Sequence, residues 1–338
     1  MQKLFFSVFI AMFFGINLSA QQTTESLQEN ARTFLRQGDF DNAIIILNRA
    51  ILQDKDNLEL HKDLIQAYYY KRNFEKALNG VKNIVDRNDA DVITFQIAGN
   101  VYKALEDVKE ADKLYKKGLK KFPNSGPLHS EYGELLWAKK DYNAIKLWEK
   151  GIQVDPGYSG NYYNAALYYF YTKDKIWSIL YGEIFVNMES LTPRGAAMKE
   201  LLLNAYKEKL FTEADLMKGE ENNKSEFAKA VLQTFNRQGS LATRGVTTAT
   251  LTMMRTRFIT DWFANNATKF PFRLFDYHQQ LLKEGMFEAY NQWLFGTVEN
   301  LPAFETWANT HQAAYTRFTD FQKNRIFKMP AGQYYQAQ

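Results

Sequence analysis

From Thr24 onward, apolar residues fall three and four apart and polar corners interrupt them at short intervals, a spacing that predicts a succession of amphipathic helices. The corners recur. When Gly38-Asp39-Phe40 is aligned with the later ones, Ala43, Ala77 and Ala111 stand 34 residues apart and Ala144 follows after 33. A fixed period of this length marks a repeat architecture, in which each helical hairpin buries its apolar side against the next.

Residue types within the period fit that reading. The first helix of each hairpin carries a small or apolar residue and then a large one three positions on: Ala31 and Phe34, Ile65 and Tyr68, Gly99 and Tyr102, Gly133 and Leu136. The second carries an alanine, a large residue four later and a small or apolar one after three more: Ala43, Leu47, Ala50; Ala77, Val81, Ile84; Ala111, Tyr115, Gly118; Ala144, Trp148, Gly151. Small side chains let antiparallel helices approach, and large ones fill the gap to the next hairpin.

This pattern resembles the tetratricopeptide repeat family, whose second helices stop where Pro123 and Pro156 stand here. The resemblance implies an all-α fold, a solenoid of tetratricopeptide-type hairpins over residues 21–191 followed by an irregular helical region over 192–338. Four repeats are clear, at about 24–158, and a fifth at 159–191 is divergent. There Ala166 and Tyr169 keep the first-helix pattern, while Ser178, Gly182 and Phe185 replace the usual second-helix residues.

Members of the family bind an extended peptide or a helix in the groove lined by the first helices, so the resemblance implies a protein or peptide partner. The matching positions are Gln28, Arg32 and Arg36, then Lys62, Gln66, Tyr69 and Tyr70, then Gln96, Asn100 and Lys103. Glu134 and Trp137 follow from the fourth repeat and Tyr163, Phe170 and Tyr171 from the fifth. The stripe runs from basic and amide-rich to aromatic, which suits a peptide with an acidic end and an apolar end. Some members grip a C-terminal carboxylate with Lys and Asn on successive first helices. Lys62 and Asn100 occupy plausible positions, but Gln66, Ile97 and Pro127 depart from that pattern, so no such clamp is expected.

Beyond Thr192 the period dissolves while helical patterning continues. Pro193 suits a helix's first turn, residues 218–225 read as a loop, and further helices are expected at 226–236, 247–265, 273–283, 286–296 and 303–323. Residues 282–289 resemble the corner of the clear repeats, which suggests one more hairpin.

The N-terminus changes the picture in a different way. Lys3, the 13-residue apolar run from Leu4 to Ile16 and the small Ala20 before a polar stretch read as a secretory signal peptide cut after Ala20. The run is shorter than the roughly 20 residues that span a bilayer, so an exported protein without a membrane anchor is expected, in an extracytoplasmic and periplasmic location. The chain has no cysteine, which excludes disulfides, thiolate chemistry and lipoprotein anchoring. Its net charge of +4 arises from 42 basic and 38 acidic residues with no dense basic block, so nucleic acid is not an expected partner.

Motifs for catalysis are missing from the sequence: there is no phosphate-binding glycine loop, nucleophile elbow, zinc-binding helix or calcium loop. His61 and His129 hold packing positions of their repeats. His278 with Asp276 and Glu284 could in principle form an acid–base or metal cluster, but side chains at 276 and 284 would not both share a face with 278 on one regular helix, so none is expected; Arg255, Arg257, Trp262 and Trp293 read as packing or surface residues. No cofactor is expected. The favoured function is a non-catalytic interaction scaffold in the cell envelope; the alternatives are a glycan- or peptide-capture protein, which exposed coplanar Tyr and Trp in the C-terminal half would support, and an enzyme with its site there.

Overall fold

In the computed structural model, residues 23–220, 223–323 and 325–336 are described, and helices are the only regular elements among them. The expected signal peptide lies outside these residues. Contacts divide the chain into two units, the first ending at Ala90 and the second beginning at Asp91.

The first unit holds two hairpins: α1 (Thr24–Gln37) with α2 (Phe40–Gln53), and α3 (Leu58–Tyr70) with α4 (Phe74–Ile84). Leu27 and Ala31 of α1 meet Leu47 and Ala50 of α2 and Leu60 and Ala67 of α3 in a buried core. The repeat alanines Ala43 and Ala77 are both fully buried.

Both of these hairpins turn in the same way. At the first corner Gly38 takes φ +78°, and the N–H groups of Gly38 and Asp39 donate to the carbonyls of Leu35 and Phe34. Two crossed bonds of this kind satisfy carbonyls left open at a helix end. At the second corner Arg72 takes φ +61°, and Arg72 and Asn73 bond to Tyr69 and Tyr68. The residue after the corner then caps the next helix: Asp39 accepts from Asn42 N and Asn73 from Lys76 N, both at 3.2 Å.

The second unit opens with three more hairpins: α5 (Val92–Ala104) with α6 (Val108–Lys121), α7 (Gly126–Ala138) with α8 (Ala144–Val154), and α9 (Ser159–Phe170) with α10 (Trp177–Met188). The corner recurs at Glu106 (φ +56°) and Lys140 (φ +60°) with the same pair of backbone bonds. The expected fifth hairpin forms but turns differently, through Asp174, whose carboxylate accepts from the N–H groups of Ile176 and Trp177. Every residue of α10 from Trp177 to Val186 is buried, because α9 and α11 (Pro193–Glu208) both pack on it. A helix covered in this way needs no polar face, which is why the second-helix pattern is lost there.

After α11 come α12 (Glu226–Asn236), α13 (Thr248–Asn265), α14 (Arg273–Lys283) and α15 (Phe287–Asn291). A π-helical turn over Gln292–Gly296 leads into α16 (Thr297–Glu299), and α17 (Leu301–Thr310) and α18 (Gln312–Lys323) follow. The helix expected at 303–323 is therefore two. It breaks at His311, where Thr310 Oγ1 takes the carbonyls of Thr306 and Trp307 at 3.0 and 3.1 Å. The extra hairpin suggested at 282–289 is present: Gly285 takes φ +68°, and Gly285 and Met286 repeat the corner bonds, to Leu282 and Leu281.

Candidate partner-binding face

The first helices of neighbouring hairpins lie side by side within each unit, α1 with α3 and, further on, α5, α7 and α9. Polar residues on this face bond to one another. In the first unit Asp63 accepts from Gln28 Nε2 at 2.7 Å and Arg32 Nε at 2.8 Å, and Arg36 pairs with Glu29 at 2.8 Å. Lys62 corrects the sequence expectation. Only 2% of it is exposed, and it pairs with Glu59, one turn back on α3, so it is an internal ion-pair member rather than a groove contact. Gln66 is partly buried. Tyr69 leans on Phe74 (5.8 Å between centroids), and the exposed Tyr70 stacks on Phe40 (5.7 Å), so both brace the second helices.

In the second unit the same arrangement centres on Glu131 of α7. It accepts from Gln96 Nε2 at 2.7 Å and Tyr115 Oη at 2.9 Å, and Lys103 Nζ stands 3.9 Å away. Burial pushes its carboxyl up, against the pull of these partners. Asn100 is exposed. Glu134, also exposed, takes Asn164 Nδ2 at 3.1 Å and Ser130 Oγ at 3.3 Å. Beside them Trp137 packs edge-on to Tyr142 and Tyr168, at 5.8 and 5.7 Å, while 37% of it stays exposed. Tyr163 packs on Phe185 under the Arg194 guanidinium, Phe170 sits under Lys209 Nζ, and Tyr171 projects into solvent.

Asp63 and Glu131, the acceptors that organise the two faces, were not among the residues expected from sequence. The signal was available: they stand 68 residues apart, twice the repeat, at equivalent positions. Because Arg32, Arg36 and Lys103 each have an acid close by, the face is of mixed sign and not a free basic stripe.

His278 is turned to a different acid from Asp276 and Glu284. The ring of His278 faces Glu183 of α10, with Nε2 2.8 Å from Oε1, and Arg255 pairs with the same carboxylate. Tyr290 Oη donates to Glu183 at 2.7 Å, and Arg255 also reaches Asn291. Burial alone would raise Glu183, but Arg255 and His278 hold it down to about 2; burial lowers His278 and keeps it neutral near pH 7. Arg255 is thus an ion-pair partner sealed in the interior, and Trp262 is a packing residue as expected. His61 and His129 each place Nε2 against the carbonyl six residues back, at 2.8 and 3.0 Å; His129 is buried, as its packing position implies, and His61 only partly.

A second buried carboxylate, Glu149 of α8, lies among hydroxyls. Tyr169 and Tyr181 donate to it at 2.9 Å each, Tyr334 adds a third bond, and Gln336 Nε2 stands 3.3 Å away. Burial outweighs these bonds and lifts its carboxyl to about 7.

Comparison with known proteins finds similarity over parts of the chain. The tetratricopeptide repeat family matches residues 34–96. A BBSome complex member, BBS4 of Bos taurus, is 26% identical over 132 residues, which are 39% of this chain and 24% of that protein; the chain thus spans about a quarter of the relative's length. A thermophilic tetratricopeptide-repeat protein of Thermus thermophilus aligns with 54% of this chain and 100% of its own at 14% identity, with a TM-score of 0.45. A tetratricopeptide repeat protein from Parabacteroides merdae aligns over 78% of this chain and 98% of its own at 16% identity, with a TM-score of 0.43.

Proposed function

Since this chain is a tetratricopeptide-repeat protein with an irregular helical C-terminal half, we propose that it is a non-catalytic scaffold of the cell envelope. It holds an extended segment or helix of a partner protein on the face formed by α5, α7 and α9. One observation carries this reading: Asn100, Glu134, Trp137 and Tyr171 remain exposed on that face while the side chains around them are fixed by bonds to one another. A face ordered before binding loses little side-chain entropy when a partner docks. Its mixed charge and partly exposed indole suit a partner segment with polar groups and one large apolar anchor. The glycan-capture reading has less support, because the C-terminal rings of Tyr206, Trp262, Tyr277 and Tyr290 are buried.

The test compares full-length protein with Trp137→Ala and Asn100→Lys, each used to recover partners from an envelope fraction. A single protein captured by the wild type and lost from both variants supports the scaffold. Recovery of the same proteins by all three would count against it. Fractionation and N-terminal sequencing check the location, with the mature chain expected to begin at Gln21.

A further inference from the structure

A cavity of about 370 Å³ opens in the second unit, walled by Arg273, Tyr277, Gln322, Arg325, Phe327 and Asn187. Its polar groups are two guanidiniums, a phenol, the Ser190 hydroxyl and side-chain amides, and among the described residues no carboxylate lines it. This composition is unlike the partner-binding face, where Arg32, Arg36, Lys62 and Lys103 each have an acid nearby.

Each guanidinium is laid on a ring. Arg273 Cζ stands 5.7 Å from the centroid of Phe327 and Arg325 Cζ 3.9 Å from that of Phe321. Stacking fixes the plane of a guanidinium and leaves its edge of N–H donors available. Of the five donors each carries, one bond is seen among the described residues, from Arg325 Nη1 to Gln280 Oε1 at 3.2 Å. Asp276 lies close enough to feel Arg273, but burial pushes its carboxyl up and Arg273 offsets this only in part, so the two are not a tight pair. Tyr277 is lifted to about 12 by burial and stays a neutral donor near pH 7.

The walls are also held from behind. Tyr277 packs edge-on to Tyr290 at 5.7 Å, and Asn187 Nδ2 donates to Tyr290 Oη at 2.8 Å. Tyr290 in turn is tied to the buried Glu183. A fixed pocket with two forked donors matches the paired oxygens of a carboxylate or phosphate, and its volume falls within the roughly 300–1,000 Å³ of small-molecule sites.

We infer that this cavity binds a small organic acid whose carboxylate or phosphate sits between Arg273 and Arg325, with its apolar part against Phe327. The inference is independent of the partner-binding face. The full-length chain is titrated with sodium phosphate and with sodium benzoate, each against sodium chloride at equal ionic strength, by calorimetry and thermal unfolding. At least one of the two oxyanions is expected to bind and to raise the unfolding midpoint above the chloride control; which one does so assigns the acid as phosphate or carboxylate. Arg325 is exposed, so Arg325→Glu leaves the core intact and should weaken binding at least tenfold; Arg273→Gln, read the same way, should do likewise. Equal responses to all three salts, or binding by Arg325→Glu as tight as by the wild type, would overturn the assignment.

Discussion

Trp148 lies so close over Gly133 that a Cβ on the glycine would overlap the indole Nε1, which donates to the Ser130 carbonyl at 3.1 Å. Tyr115 stands over Gly99 in the same way, its hydroxyl where the Cβ would be. The hairpins α5–α6 and α7–α8 are therefore closed by an aromatic ring resting on bare backbone. Gly133→Ala should cost about 1–3 kcal/mol, the range for overfilling a packed site, read as a lower denaturation midpoint. Adding Trp148→Leu should recover part of the loss, and a double variant no better than the single one would show that the clash is not the cause.

The corner geometry makes an opposite prediction. Glu106 and Lys140 adopt the left-handed conformation that Gly38 adopts at the equivalent place, and side-chain-bearing residues pay roughly 1–2 kcal/mol for it. Glycine also adds freedom to the unfolded chain, worth about 0.4–1 kcal/mol in the other direction. Glu106→Gly and Lys140→Gly should each raise stability by up to about 1 kcal/mol in chemical denaturation. Destabilisation by both would mean that those side chains contribute more than the strain removes.

The interior ion pair gives a larger effect. Removing Arg255 leaves Glu183 buried without its guanidinium partner, so Arg255→Met should cost about 3–5 kcal/mol. Combining it with Glu183→Gln should restore a good part of that. Urea melts of the two single variants and the double variant measure the coupling directly, and additive losses would argue against the pairing.

Stability should also respond to pH through Glu149. Its carboxyl is raised from 4.5 to about 7 in the folded chain, so the folded state holds a proton that the unfolded state releases between those values. The contribution is complete below pH 4.5 and disappears as pH rises through 7. Glu149→Gln keeps the site neutral, and should therefore match the wild type near pH 5 and exceed it at pH 8 by up to about 3 kcal/mol, at 1.36 kcal/mol per pKa unit. Equal stabilities at pH 8 would show that the carboxylate is solvated there.

The repeats were legible because packing repeats with them. Ala43, Ala77, Ala111 and Ala144 are all fully buried, and the glycine–aromatic pairs sit where the spacing puts them. The polar ladder was only partly legible: candidate positions could be counted from the period, but whether a cation faces solvent or a neighbouring acid depends on the adjoining helix, as the pairing of Arg32 on α1 with Asp63 on α3 illustrates. The C-terminal half was legible as helices and not as a site. Glu183 meets residues 72 and 107 positions away, and nothing local in the sequence announces such a meeting. The tempting neighbours of His278 were near in sequence, and the real ones come from α10 and α13.

That cluster also bears on how such a chain can be inherited. A hairpin of the array makes its corner from its own backbone, so duplication or loss of one period leaves every other corner intact. The stretch from Glu183 to Asn291 has no such freedom, since a crossover anywhere inside it would separate a buried carboxylate from its counter-charge or its hydrogen-bond donors. Gene rearrangement should therefore have left the repeats variable in number and carried this segment whole.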